Sequence, residues 1–142
     1  MENLRLSNLT QKQFLPYQME ELDGCFRVYC YAFEMLDTEY YVTTHSFIDG
    51  NKEQVYVQYE RTDYDFENME DAICFALGGS IVAEIAKDYK HYHKQNDLVY
   101  NEDKFVELAH GIIERCANKM QANDDQVDKL KEGAKEYASV WL

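Results

Sequence analysis

Between residues 25 and 61, apolar and polar positions alternate with the two-residue period of a pleated strand. Three runs stand out: CFRVYCYAFEML at 25–36, YYVTTHSFI at 40–48 and QVYVQYER at 54–61. All are rich in aromatic and β-branched side chains, which suit a half-buried pleated surface. The breaks between them, Asp37-Thr38-Glu39 and Asp49-Gly50-Asn51-Lys52, are short and carry turn residues, so they predict a three-stranded antiparallel meander. Alternation puts Phe26, Val28, Cys30 and Ala32 in one row, with Val42, Thr44 and Ile48, or Val55, Val57 and Tyr59, as partners. The opposite row then holds Arg27, Tyr29, Tyr31, Tyr41, His45, Tyr56, Gln58 and Glu60, half-covered or presented to a partner.

After residue 68 the period changes to that of a helix. Asn68 followed by Asp71 resembles a capping box, and Glu70 with Asp71 complements the helix dipole. The first helix is expected to reach about His93, with Leu77, Ile81, Ile85, Tyr89 and Tyr92 on one stripe. Its apolar middle, residues 75–83, marks it as the central helix packed on the sheet. Gly78 and Gly79 within it predict either close helix packing or a break at Ser80. A second helix is expected from Glu102 to Gln121, capped by Asn101, with Phe105, Leu108, Ala109, Ile112, Ile113, Cys116 and Met120 in line and the stripe centred near Leu108, Ile112 and Cys116. A third, from Asp124 to Trp141, carries the narrower stripe Val127, Leu130, Ala134, Tyr137 and Trp141. That stripe suits an outer helix, or an interface with a second copy in a homodimer. Residues 10–22 are expected to hold a short helix broken at Pro16. The fold class predicted is therefore α+β: one domain over residues 1–142, a three-stranded antiparallel sheet packed by a central helix, an N-terminal helical segment and two further C-terminal helices.

Composition adds the charge. The 142 residues carry 27 acidic against 14 basic side chains, a formal net charge of −13. That balance speaks against direct binding of nucleic acid or of an anionic membrane through a basic face. Residues 20–71 hold 14 of the acidic side chains and only Arg27, Lys52 and Arg61 as cations, so the negative field belongs to the strands and their loops. Its densest part is Glu60-Arg61-Thr62-Asp63-Tyr64-Asp65-Phe66-Glu67-Asn68-Met69-Glu70-Asp71. The N-terminus lacks a secretory pattern, the apolar stretch at 72–86 is too short to span a bilayer, and Cys25, Cys30, Cys74 and Cys116 show no metal-type spacing. Free thiols and a cytoplasmic location are expected.

Motifs for chemistry are sparse. Asp88 with His91 and Glu107 with His110 have the spacing of di-iron bundle ligands, but helical projection turns Glu107 away from the apolar stripe. Ser80 lacks a nucleophile elbow, and its Gly-Gly-Ser run lacks the rest of a phosphate loop. No catalytic residue, metal or cofactor is assigned.

The element order of helix, three strands and helix is similar to that of the double-stranded-RNA-binding domain, whose basic helix start has no counterpart here. In size, charge and strand-rich acidic face the chain resembles small acidic α+β inhibitors carried by phages and mobile elements. The carboxylates of residues 60–71, spaced by one or two residues with Tyr64 and Phe66 between them, read as a row of phosphates beside base-like rings, which points to a non-enzymatic nucleic-acid mimic that inhibits a basic DNA- or RNA-handling protein, such as a nuclease effector. The residues expected to meet the basic partner surface are Glu60, Asp63, Tyr64, Asp65, Glu67, Glu70, Asp71, Tyr41 and Tyr56. Two alternatives stand beside it. One is a small enzyme or ligand-binding domain with a pocket between sheet and central helix, lined by Tyr29, His45, Tyr56 or Glu84; the other is oligomerisation through the stripe of the third helix.

Overall fold

The computed structural model describes residues 18–22, 26–35, 37–96, 102–120 and 122–141. Five antiparallel strands come first: β1 (Gln18–Leu22), β2 (Phe26–Met35), β3 (Thr38–Asp49), β4 (Lys52–Tyr59) and β5 (Thr62–Phe66). Three helices follow: α1 (Met69–Asn96), α2 (Glu102–Met120) and α3 (Asp124–Trp141). The sheet order is β1-β2-β3-β4-β5, a plain meander. The class is α+β as expected, but two more strands flank the three that alternation marks. Gln18–Leu22 lies in β1, paired with β2, where a helix was expected; the rest of that expected helix falls outside the described residues. Thr62–Phe66 is an edge strand inside what reads as an acidic connection.

Tight turns set the register. Asp49 pairs with Lys52, leaving Gly50 and Asn51 as a two-residue loop, and Gly50 takes φ 62°, the left-handed value a hairpin of this kind requires at its first central position. Tyr59 pairs with Thr62 in the same way, but there the left-handed position (φ 57°) is filled by Glu60, which has a Cβ and so costs about 1–2 kcal/mol.

Among the described residues, one face of the sheet carries the helices and the other carries none. On the covered face β2 contributes Tyr29, Tyr31 and Phe33, β3 Tyr40, Val42 and Thr44, and β4 Val55, Val57 and Tyr59, all buried. The β2 phase is therefore the reverse of the expected one: the large rings face the core, while Val28, Cys30 and Ala32 lie half-buried on the other side. Because the period is two, one step exchanges every side chain between faces. Burying a ring removes more apolar area from water than burying a valine or alanine, and each phenol keeps a polar outlet. Tyr29 donates to the Glu53 carboxylate (3.2 Å), and Tyr59 to the Phe75 carbonyl (3.0 Å).

α1 is the hub, touching β3, β4, β5, α2 and α3. It starts as the sequence predicts: Asn68 Oδ1 accepts from the Asp71 N–H at 2.8 Å. It runs without a break through Gly78 and Gly79. A Cβ on Gly78 would overlap the Leu130 carbonyl, one on Gly133 the Phe75 carbonyl, and one on Gly79 the Tyr59 hydroxyl. So α1 and α3 cross backbone to backbone, with one face of α3 buried on α1 and its opposite face exposed, as an outer helix requires. Its first turn closes on a reciprocal box, with Asn123 N–H to Gln126 Oε1 and Gln126 N–H to Asn123 Oδ1, both 2.9 Å. On α2 the buried line is Phe105, Ala109, Ile113 and Cys116, while Leu108 is exposed and Ile112 half-buried, so the stripe is centred off the expected one. No described helix is long and apolar enough to cross a membrane.

Candidate functional site

The segment 60–71 divides between two faces of the molecule. Along β5, Asp63 and Asp65 are exposed and share the helix-free face, while Tyr64 and Phe66 turn inward. Half-buried Tyr64 packs at a tilt against Tyr59 (5.5 Å) and Phe75 (5.0 Å), and its hydroxyl donates to Glu136 at 3.2 Å, so its ring is turned toward the core. Phe66 packs on Phe75 (5.0 Å), with the Lys129 amine 5.8 Å from its ring centre. Glu60 and Glu67 are exposed at the two ends of β5. Glu70 and Asp71 belong to a different place, the start of α1.

On the helix-free face the strand register builds a continuous cross-strand row. Val28 on β2 lies opposite His45 on β3, His45 opposite Tyr56 on β4, and Tyr56 opposite Asp65 on β5. The His45 and Tyr56 rings stack at 5.1 Å and 18°. Burial lowers the His45 pKa below its ordinary value against the opposing pull of Asp63, and burial with Asp63 raises that of the Tyr56 phenol. Asp63 therefore sits close enough to act on both rings. Beside this row, Phe26 and Phe47 pair at 4.9 Å and stay partly exposed, and Tyr41, 57% exposed, donates to Glu39 at 3.0 Å. The face thus grades from apolar at β2 to acidic at β5. Lys52, the first residue of β4, and Arg61, in the β4–β5 turn, flank it. Among the described residues no ion pair involves Glu60, Asp63, Asp65 or Glu67.

The second place is a cleft of about 490 Å³ where the first turns of α1 and α3 converge. Asn68, Glu70 and Asp71 come from one side, and Asp125, Asp128, Lys129 and Glu132 from the other. Gln126, 3% exposed, ties them together by donating to Glu70. Carboxylates gather here because two helix N-termini point the same way and each favours negative charge.

Two further sets of expected residues are not brought together as expected. Tyr29 lies on the helix side of the sheet and His45 and Tyr56 on the opposite side, with Glu84 on α1, so the four do not line one pocket. In the stripe expected for oligomerisation, Leu130 (1% exposed) and Ala134 (0%) are enclosed by α1 of the same chain, and Val127 and Tyr137 are half-buried against that core. Trp141 alone is exposed. Cys74 and Cys116 are buried free thiols and Cys30 a half-buried one; burial pushes the Cys74 thiol well above its ordinary range. Among the described residues no three His, Cys, Asp or Glu side chains are grouped to hold a metal ion.

The ring pair Phe26–Phe47 and the α3 carboxylates of the cleft were not singled out from the sequence. The first was legible only with the correct β2 phase; the second needed the α1–α3 crossing. Comparison with protein-family models, with curated proteins and with solved structures finds no match for the chain.

Proposed function

We propose that the chain is a small non-enzymatic binding protein that meets a basic protein surface with the helix-free face of its sheet. The observation that carries this reading is the pair Asp63 and Asp65, exposed on one side of an edge strand, unpaired with any described cation, and contiguous with a partly exposed aromatic surface. Such a face offers a partner both halves of a protein interface: rings to desolvate at the centre and charge at the rim. Carboxylates fixed on a strand lose little freedom on binding, and their long-range attraction speeds encounter.

In its specific form the partner is a DNA- or RNA-handling protein, such as a nuclease effector, because such proteins hold arginine and lysine in the array that a polyanion requires. The carboxylates available to it are Asp63 and Asp65 with Glu60 and Glu67 at their flanks; Glu70 and Asp71 face the cleft and are not part of the same row. A short acidic edge replaces the long phosphate-like run that the sequence suggests.

The test is charge reversal on each face. Immobilised chain should retain basic nucleic-acid-binding proteins at low salt, release them at high salt, and lose them to added duplex DNA. Asp63→Lys with Asp65→Lys should abolish retention, while Asp125→Lys with Asp128→Lys in the cleft should leave it intact. Retention that survives the first pair, with circular dichroism unchanged, would reject the reading.

A further inference from the structure

Of all the side chains on the helix-free face, the row through His45, Tyr56 and Asp65 has the most specific chemistry. A lysine ammonium is a compact charge, satisfied by any nearby carboxylate. An arginine guanidinium is planar; it gains from lying on an aromatic face and from presenting its edge to carboxylates at the same time. Those two needs are met here by neighbouring strands. The half-buried Tyr56 and His45 stack to give an aromatic platform, Asp65 stands directly across from Tyr56, and Asp63 is close enough to act on both rings. Further along β3 on the same face, Tyr41 extends the exposed aromatic surface and has Glu39 beside it, repeating the same combination.

We infer that this face selects arginine over lysine, its occupant being an arginine-rich segment of the partner whose guanidinium groups lie on Tyr56 and Tyr41 with their edges toward Asp65, Asp63 and Glu39. This rests on the reading that the face binds a basic protein and adds which cation it prefers. The complementarity argues for such a segment over a second copy of the chain: a copy would bring its own Asp63, Asp65 and Glu39 against these.

The probes are labelled oligoarginine and oligolysine peptides of equal length, followed by fluorescence anisotropy on the full chain at low salt. Oligoarginine should bind more tightly by roughly two- to fivefold for each stacked guanidinium, the range of exposed cation–π contacts. Tyr56→Leu should remove that preference while keeping lysine binding, and Asp63→Asn with Asp65→Asn should weaken both peptides. Tyr41→Leu, at an exposed position, repeats the test where the fold is not at stake. Equal binding of the two peptides by the parent chain would overturn the arginine preference and leave the acidic-face reading standing. No binding of either would overturn both. A dimer in sedimentation equilibrium that Phe26→Glu with Phe47→Glu dissociates would assign the face to a second copy and likewise overturn the inference.

Discussion

Tyr31 is a phenol held in the sheet-to-helix interior, 3% exposed, and burial pushes its ionisation from 10 up to about 12. In the unfolded chain it titrates near its ordinary value. The folded state binds this proton more tightly, so the stability linked to it is complete below pH 10 and drains away as pH rises from 10 to about 12. Tyr59 shifts in the same direction for the same reason. The urea midpoint should therefore fall steeply above pH 10, and less steeply in Tyr31→Phe. Equal slopes for the two proteins would mean that this ring is not sealed from water in solution. Residue by residue, what misled the sequence reading was this same class of side chain. Tyr29 and Tyr31 look amphipathic, so alternation alone sends them outward and the smaller Val28, Cys30 and Ala32 inward. Volume decides otherwise: α1 leaves a deep space over the sheet, and rings with reachable hydroxyl partners fill it.

At the scale of elements, the space around two glycines makes opposite forecasts, one at the α1–α3 crossing and one on the open side of α2. Gly133→Ala should cost about 3 kcal/mol, the upper end for overpacking, because its methyl would meet the Phe75 carbonyl of a neighbouring helix rather than a flexible side chain. Gly111→Ala on α2 meets nothing within 4 Å and should stabilise by about 1 kcal/mol through helix propensity. Thermal melts of the two variants should move in opposite directions, and a Gly133→Ala chain that melts at or above the parent temperature would contradict the crossing geometry. Helix positions were readable because caps and apolar spacing are local: the Asn68–Asp71 cap and the span of α3 agree with the sequence to the residue. What the glycines touch is a long-range matter, and only close packing as such could be foreseen. β5 was hidden for a different reason. Its alternation is complete, Tyr64 and Phe66 against Asp63 and Asp65, but the density of charge drew attention from the period.

For the whole molecule, α3 decides whether there is a fold at all. Leu130, Ala134 and Ala138 are each no more than 1% exposed, and they cover α1 residues such as Leu77 that are equally enclosed. Removing residues 124–142 should abolish cooperative thermal unfolding instead of converting a dimer to a monomer. A truncated chain that melts at the parent temperature would show α3 to be peripheral. The face proposed for binding lies across the sheet from this helical layer, and which side chains reach it depends on strand register, which the sequence does not spell out. Charge density along the chain marks residues 60–71 as one stretch, yet the assignment of each carboxylate to the sheet face or to the cleft depends on a hairpin turn at Glu60 and a helix start at Asn68.

The order of the elements has a consequence for synthesis. Every described strand precedes every described helix, so a ribosome releases the meander while the layer that shelters Tyr29, Tyr31, Val42 and Val57 is still being translated. A naked sheet with one greasy side invites edge-to-edge association with its neighbours on a polysome. Charged side chains on an edge strand oppose such pairing, and β5 carries two exposed ones, Asp63 and Asp65.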